Sequence, residues 1–480
     1  MTAFEPVTAA YRQAEHHRFA AGGAEFLYLV PSGAVFTLEG LSKEIFESLS
    51  RDPTNREEIV SFLSARGHAP SDVGATIDEM EYYDVLTSGD GRPKFPSMPA
   101  SDFPLQRMVL NVTNQCNLSC GYCYEYSEDK IAITKDKPKY MTDPVAQAAI
   151  DTLFRESTGR PKLHVTFFGG ESLLNFPLMQ STVAYADAKA TEQGRIVDYS
   201  LTTNATLLTE EIADFLAEHR FGVTVSIDGD KELHDRMRVF HNGKGSYDII
   251  APKIKMLLER HKTNSIGARV TLSSGVRHVR RIYDHLTTEF AFQGVGFSPA
   301  TANPDRLYHI GNEKMDDVLD QFAELAYEYR DYALQGRQHN FTNVSDTLKE
   351  LHSGVSKAYT CGAGLGMLGV GTSGDIGACH RFVDAPVAQM GNVMNGGVDH
   401  DARREFLDNH HIGARPDCHS CWVRPVCAGG CYHESFINHG NTSASLLKQC
   451  DRIRGWIDLN LHIYAEIGIK NPKFLERFNN

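Results

Sequence analysis

The sequence predicts an α/β protein centred on an open, partial barrel of six β-then-α units, with a small domain before it and a cysteine-rich region after it. Three observations predict this. Between residues 105 and 340, short apolar runs alternate with helical stretches. A stretch rich in Gly, Pro and Ser, SGDGRPKFPSMPASDFP, breaks the pattern just before them. Beyond about residue 340 the alternation stops, and glycine, cysteine and short turns dominate until a last helix from 445 to about 467. The expected divisions are 1–88, a linker at 89–104, the partial barrel at 105–340, and the last region at 341–480.

In the first division, GAEFLYLVPSGAVFTLEG reads as two short strands around the turn Pro31-Ser32-Gly33. Three helices follow, at 41–50, 54–66 and 71–86. In the second, Ile59, Phe62 and Leu63 fall on one apolar face, and Thr54 with Glu57 resembles a capping box. The barrel strands are expected at 107–112, 163–168, 198–203, 222–227, 266–272 and 294–297, with helices such as 144–154 and 210–218 between them. Such units make a parallel sheet with right-handed crossovers. Six is fewer than the eight of a closed barrel. Ligands are expected at the carboxyl ends of the strands.

A chain of 480 residues is too long for one ordinary core. Its 41% hydrophobic and 23% charged residues are globular values. No run of eighteen apolar residues suggests a membrane span, and the N-terminus lacks the basic-then-apolar pattern of a secretory signal, so a cytoplasmic protein is expected. A net charge of −13 counts against general nucleic-acid binding.

The ten cysteines fall in two groups, three at 116–123 and seven at 361–450. Disulfide scaffolds are short and secreted, so clustered cysteines in this chain favour metal binding or redox chemistry. LNVTNQCNLSCGYCYEY sets Cys116, Cys120 and Cys123 in a C-x3-C-x2-C pattern just after the first barrel strand. Three thiolates can hold a cube of iron and sulfide and leave one iron open. A structural zinc site usually takes four ligands in two pairs, and no fourth lies close by.

This spacing, Tyr122 before the third cysteine, and the strand–helix alternation together resemble the radical S-adenosylmethionine (SAM) superfamily. The resemblance implies a [4Fe–4S] cluster on Cys116, Cys120 and Cys123 that binds SAM and cleaves it to a hydrogen-abstracting radical. It also implies SAM contacts from Tyr122 and the strand ends. Gly169, Gly170 and Glu171 would hold the amino group. Thr203 and Asn204 would lie near the ribose. Ser226 and Arg269 would complete the set, Arg269 toward the carboxylate.

The second group runs Cys361-x12-Gly374-x4-Cys379, then Cys418-x2-Cys421-x5-Cys427-x3-Cys431, then Cys450. It resembles the seven-cysteine SPASM extension of radical SAM peptide maturases. The resemblance implies two auxiliary [4Fe–4S] clusters, one on Cys361, Cys379 and Cys431, the other on Cys418, Cys421, Cys427 and Cys450. The first then lacks a cysteine on one iron, for which His380 is a candidate. A zinc ribbon over 418–431 and an electron-transfer ferredoxin are the rival readings.

The N-terminal elements resemble the winged-helix-like domain that binds leader peptides in such machines. There a peptide adds a strand at a sheet edge, and EFLYLVP or the segment before it could offer that edge. The whole chain is most similar to the thioether-forming maturases of quinohaemoprotein amine dehydrogenase, on the segments HVTFFGGESLLNF, SIDGDKELHDRMR and CWVRPVCAGGCYHE. That resemblance implies bonds from cysteine sulfur to Asp or Glu methylene carbons of a small-subunit peptide, with a flavodoxin or ferredoxin as reductant. A base is needed for the substrate thiol, whose ordinary pKa is about 8.5. Asp235 is the first candidate and Asp228 the second. Formylglycine formation, thioether formation at α-carbons, and a non-catalytic iron–sulfur or zinc protein are the alternatives.

Overall fold

The computed structural model describes residues 10–49, 53–88, 93–99 and 103–479. The first part holds β1 (Arg12–Gln13), β2 (His16–Ala21), β3 (Ala24–Leu29), β4 (Val35–Thr37), α1 (Gly40–Ser48), α2 (Arg56–Ser64), α3 (Pro70–Tyr82) and β5 (Leu86–Thr87). β2, β3 and β4 form one antiparallel sheet in that order, and β1 pairs with β5. Leu27, Leu29, Ile45, Phe46, Leu63 and Ile77 are among the residues of a separate small core beneath them.

Three expectations change here. EFLYL is the central strand, paired on both sides, so it offers no edge to a peptide. The outer edges belong to β2 and β4. Helix α2 is capped by Asn55, whose side chain accepts from the Glu58 amide at 2.9 Å, and not by Thr54. Thr54 instead exchanges backbone bonds with Tyr11, which ties down the residue before the cap. Ile59 and Leu63 of the apolar face are buried, but Phe62 is 50% exposed.

The central part alternates β6 (Arg107–Asn111), α4 (Asp143–Glu156), β7 (Lys162–Phe168), α5 (Phe176–Gln193), β8 (Ile196–Thr203), α6 (Glu210–Glu218), β9 (Gly222–Ser226), α7 (Lys231–His234), α8 (Tyr247–Arg260), β10 (Ile266–Leu272), α9 (Val279–Thr288), β11 (Val295–Pro299) and α10 (Asn312–Leu334). The six strands are parallel neighbours in chain order. Alternate residues of β7, Leu163, Val165 and Phe167, are fully buried. They face the helical layer, as the period of two requires.

The last part comprises α11 (Thr342–Ser353), β12 (Met367–Val370), β13 (Asp375–Gly377), β14 (Gln389–Asn392), β15 (Gly397–Val398), α12 (His400–His410), α13 (Arg424–Cys427), α14 (Tyr432–His439) and α15 (Leu447–Lys470). It is not a separate layer. β12 lies parallel to β6, and β13, β14 and β15 continue the same sheet in antiparallel order. An open barrel leaves the outer side of β6 with unpaired backbone groups, and β12 satisfies them.

The N-terminal part is fastened to this region. The guanidinium of Arg424 pairs with Glu15, and the ring of His17 stacks on Trp422 at 3.8 Å and 7°. Phe95, in the expected linker, packs 4.9 Å from the His419 ring, and His411 Nε2 lies 2.9 Å from the Pro96 carbonyl. No helix among the described residues is long and apolar enough to cross a membrane.

Candidate active site

The loop after β6 brings Cys116, Cys120 and Cys123 to the carboxyl end of the parallel strands, as the six-unit pattern requires. Two backbone bonds hold it against the segment after α7: Ser119 N to Val239 O at 2.7 Å, and Gly121 N to Met237 O at 3.1 Å. The Leu118 amide points at Cys116 Sγ, 3.4 Å away, and Asn204 Nδ2 lies 3.8 Å from the same sulfur. Burial pushes the Cys116 and Cys123 thiols up to about 12 and raises Cys120 as well, and the neighbouring thiols add to the effect on Cys116 and Cys123. Three thiolates crowded in a desolvated loop require a cationic group among them. Among the described residues no three His, Cys, Asp or Glu side chains converge tightly enough for a single metal ion. Three thiolates in one loop are the ligand type that iron–sulfur groups prefer.

Gly169 and Gly170, at the end of β7, run directly beneath this loop. Gly169 has φ of +131°, and a Cβ there would lie 2.3 Å from the Thr113 carbonyl oxygen. At Gly170 it would lie 2.0 Å from the Gln115 carbonyl oxygen. Only glycine allows this approach.

Glu171 was expected to face SAM with its carboxylate. It is 1% exposed and already accepts from Thr203 Oγ1 at 2.7 Å, the Asn204 amide at 2.7 Å and the Leu173 amide at 3.2 Å. Its role in the structure is to bind the end of β7 to the end of β8. Thr203 donates its hydroxyl to that carboxylate, so Thr203 also serves the framework. Asn204 reaches toward the cysteine loop, with Nδ2 3.0 Å from Asn117 Oδ1.

Tyr122 and Asp228 belong to a buried cluster. The Tyr122 hydroxyl donates to Asp228, Arg238 Nε pairs with Asp228 at 2.9 Å, and the Arg238 guanidinium sits 5.4 Å from the Tyr122 ring centroid. Asp228 Oδ1 also accepts the Thr271 amide at 2.9 Å. A carboxylate so committed is not free to take a substrate proton, and the Tyr122 side chain braces the loop. Arg238 also lies close enough to Cys120 to favour its thiolate. Arg238 carries no motif that would single it out in the sequence. Asp235 pairs with neither Arg236 nor Arg238. Its Oδ1 accepts the Tyr247 amide at 2.9 Å, at the start of α8.

Ser226 and Arg269 are register partners on β9 and β10. The Arg269 side chain is accessible to solvent although protein surrounds it closely enough for burial to lower its pKa. It therefore lines an internal space, where a ligand carboxylate could meet it.

The seven later cysteines gather in two places. Burial pushes the Cys379 thiol up to about 12, with Cys361 and Cys431 near enough to add to it, and burial with the nearby Cys431 raises Cys361. Gly374, at φ of +87°, turns the chain between β12 and β13 just ahead of Cys379. Cys418, Cys421, Cys427 and Cys450 line one cavity. His380 packs on Phe168 with ring centroids 4.6 Å apart, and burial lowers its pKa to about 3. That keeps its imidazole neutral, the form a metal would need.

Residues 110–276 match the family described as the Radical SAM superfamily. The serine-type anaerobic sulfatase-maturating enzyme of Bacteroides thetaiotaomicron is 39% identical over 159 residues, which are 33% of this chain and 37% of that enzyme. This chain thus spans little more than a third of that relative's length. The cysteine-type anaerobic sulfatase-maturating enzyme of Clostridium novyi is 23% identical over 375 residues, 74% of this chain and 95% of that one. A solved structure of native anSMEcpe with bound AdoMet and Cp18Cys peptide has the same fold, with a TM-score of 0.60, 20% identity, and coverage of 78% of this chain and 99% of that one. Residues 110–276 therefore carry a radical SAM domain, similar to that of the anaerobic sulfatase-maturating enzymes.

Proposed function

We propose that this chain, built around a radical SAM domain, is a peptide maturase that takes hydrogen from a carbon of a bound peptide. The observation that carries the reading is the gathering of Cys116, Cys120 and Cys123 over Gly169 and Gly170, at the strand ends where Arg269 opens into an internal space. A [4Fe–4S] cluster on those cysteines, with SAM, would supply the radical. Arg238 and Tyr122 brace the loop, Asn204 reaches the Cys116 sulfur, and Arg269 takes a carboxylate. The sets Cys361/Cys379/Cys431 and Cys418/Cys421/Cys427/Cys450 would hold two auxiliary clusters. A flavodoxin- or ferredoxin-type protein would bring electrons.

Two products divide the reading. The first is a thioether between cysteine sulfur and an Asp or Glu methylene carbon, in the small subunit of quinohaemoprotein amine dehydrogenase. It is supported by the N-terminal sheet with outer edges β2 and β4, a module able to hold a leader peptide. The second is formylglycine, supported more directly by the similarity to sulfatase-maturating enzymes.

The experiment is anaerobic reconstitution with iron and sulfide, followed by SAM, the small-subunit peptide and mass spectrometry. A peptide about two mass units lighter per bond, with its cysteines blocked, is expected if hydrogen is removed from both sulfur and carbon. A cysteine turned into an aldehyde would establish the second product. Intact SAM would remove both.

Asp235 is the proposed base for the substrate thiol, since its segment runs beside the cysteine loop. The Asp235→Asn variant is expected to keep its iron and cleave SAM while crosslinking at least about a hundredfold more slowly. Crosslinking at the wild-type rate would leave Asp235 as only the anchor of the Tyr247 amide.

A further inference from the structure

Arg381 lies two residues after Cys379, between the first cysteine loop and the C-terminal region. Its Nη1 donates to Thr301 Oγ1 at 2.9 Å, just past the end of β11, and lies 3.4 Å from His433 Nδ1. Its guanidinium stands 4.8 Å from the ring centroid of Tyr124, the residue after Cys123. Among the described residues it has no carboxylate at ion-pair distance. Two neighbours are engaged elsewhere: Asp384 pairs with Lys137 at 2.6 Å, and Asp129 with Arg306 at 2.8 Å. Glu125 lies near enough to feel the Arg381 charge but makes no ion pair with it.

The same guanidinium lines a cavity of about 430 Å³ that also reaches Thr301 and Cys431 and has an apolar wall of Phe322, Ile453 and Trp456. A guanidinium is held out of water at a cost unless an anion meets it, and its planar fork fits a carboxylate with two parallel bonds. The cavity also takes in Glu434, whose carboxylate accepts from Gln449 at 2.6 Å, and Arg452, which donates to Asn312 at 2.9 Å; a guanidinium beside an apolar wall selects a short acidic side chain and covers the chain next to it.

We propose that Arg381 is the specificity residue of this site, holding the side-chain carboxylate of an Asp or Glu of the peptide in this cavity. The assignment rests on the peptide-modifying reading above. It fixes an acidic residue between Cys123 and the Cys379/Cys431 pair, within reach of both groups of cysteines.

The test uses the loaded enzyme with SAM, kept anaerobic, and a fluorescent small-subunit peptide. A second peptide carries Asn and Gln in place of every Asp and Glu of the segment to be modified. The wild type is expected to bind the acidic peptide at least tenfold more tightly than its amide counterpart, and Arg381→Gln to bind the two alike. Equal affinity of the wild type for both peptides overturns the proposal. An unchanged preference in Arg381→Gln, or a loss of the same factor for both peptides, also overturns it, because either marks a structural role. Should Arg381→Gln fail to keep its iron, Arg381→Lys carries the comparison. It keeps the charge without the fork, and its preference is expected to fall at least threefold; an undiminished preference there overturns the proposal. The product mass tests the parent reading separately, since an aldehyde or an unmodified peptide removes the thioether whatever the affinities are.

Discussion

A Cys120→Ala protein, reconstituted beside the wild type, is expected to hold about four fewer irons per chain and to lose SAM cleavage altogether. Cys120 is the middle cysteine of the loop. Arg238 lies against it, and the amide of the next residue, Gly121, is bound to Met237 O at 3.1 Å. With Cys116 and Cys123 alone, two thiolates face a cube that needs three. The auxiliary sets are built from different parts of the chain, so the remaining iron should stay bound and visible in the same sample. Iron analysis and assay of 5′-deoxyadenosine check both halves. Unchanged iron with continued cleavage would mean that this loop is not the radical-generating centre.

The second large effect is on stability. In the Asp228→Ala protein the Arg238 guanidinium loses its only ion-pair partner among the described residues, in a place where its side chain is 8% exposed and that of Asp228 is 0% exposed. Breaking a buried pair from one side costs about 3–5 kcal/mol, because the remaining charge stays out of water. The Tyr122 hydroxyl and the Thr271 amide lose an acceptor at the same time. The unfolding midpoint of the metal-free protein should fall by roughly 3–5 °C. Asp228→Asn keeps an oxygen for the Thr271 amide and should fall less. Calorimetry of the two variants checks the order. A midpoint for Asp228→Ala within a degree of the wild type would show that Arg238 finds another anion or reaches water.

The six barrel strands were legible because each is a short apolar run between helical stretches, a pattern that depends only on nearby residues. β10 falls at Ile266–Leu272, as read. β2 was not legible. HHRFAA has one buried residue, Phe19, and the strand is held by β3 and by α15, more than four hundred residues away. β12 to β15 were missed for a related reason. They are two to four residues long, and they are strands only because an edge of β6 exists to receive them.

Within the site, the cysteines and glycines could be recognised from spacing, since thiol ligands and close backbone approaches follow from residue type. Partners could not. The sequence marks Glu171 and Tyr122 as positions near SAM. It does not say that Glu171 spends its oxygens on Thr203 and Asn204, or that Tyr122 is held by Asp228, since these pairs join strand ends and loops far apart in the chain. Arg381 carried no motif of its own. Its place beside Tyr124 and Thr301 emerges only when the C-terminal region is laid against the barrel.

The pairing of β12 with β6 also has a history in time. Arg107 meets Met367 roughly 260 residues later in the chain. A ribosome adding 5–20 residues per second needs about 13–50 s to cover that distance. Throughout that interval the newborn barrel carries a bare parallel edge made of Met108, Val109 and Leu110, all buried in the finished protein. Such an edge is a template for strands of other chains. Yield in a heterologous host should therefore respond to slower translation or scarce chaperones more sharply than the stability of the completed fold would suggest. Chains truncated before residue 367 should aggregate even though all six barrel strands are present.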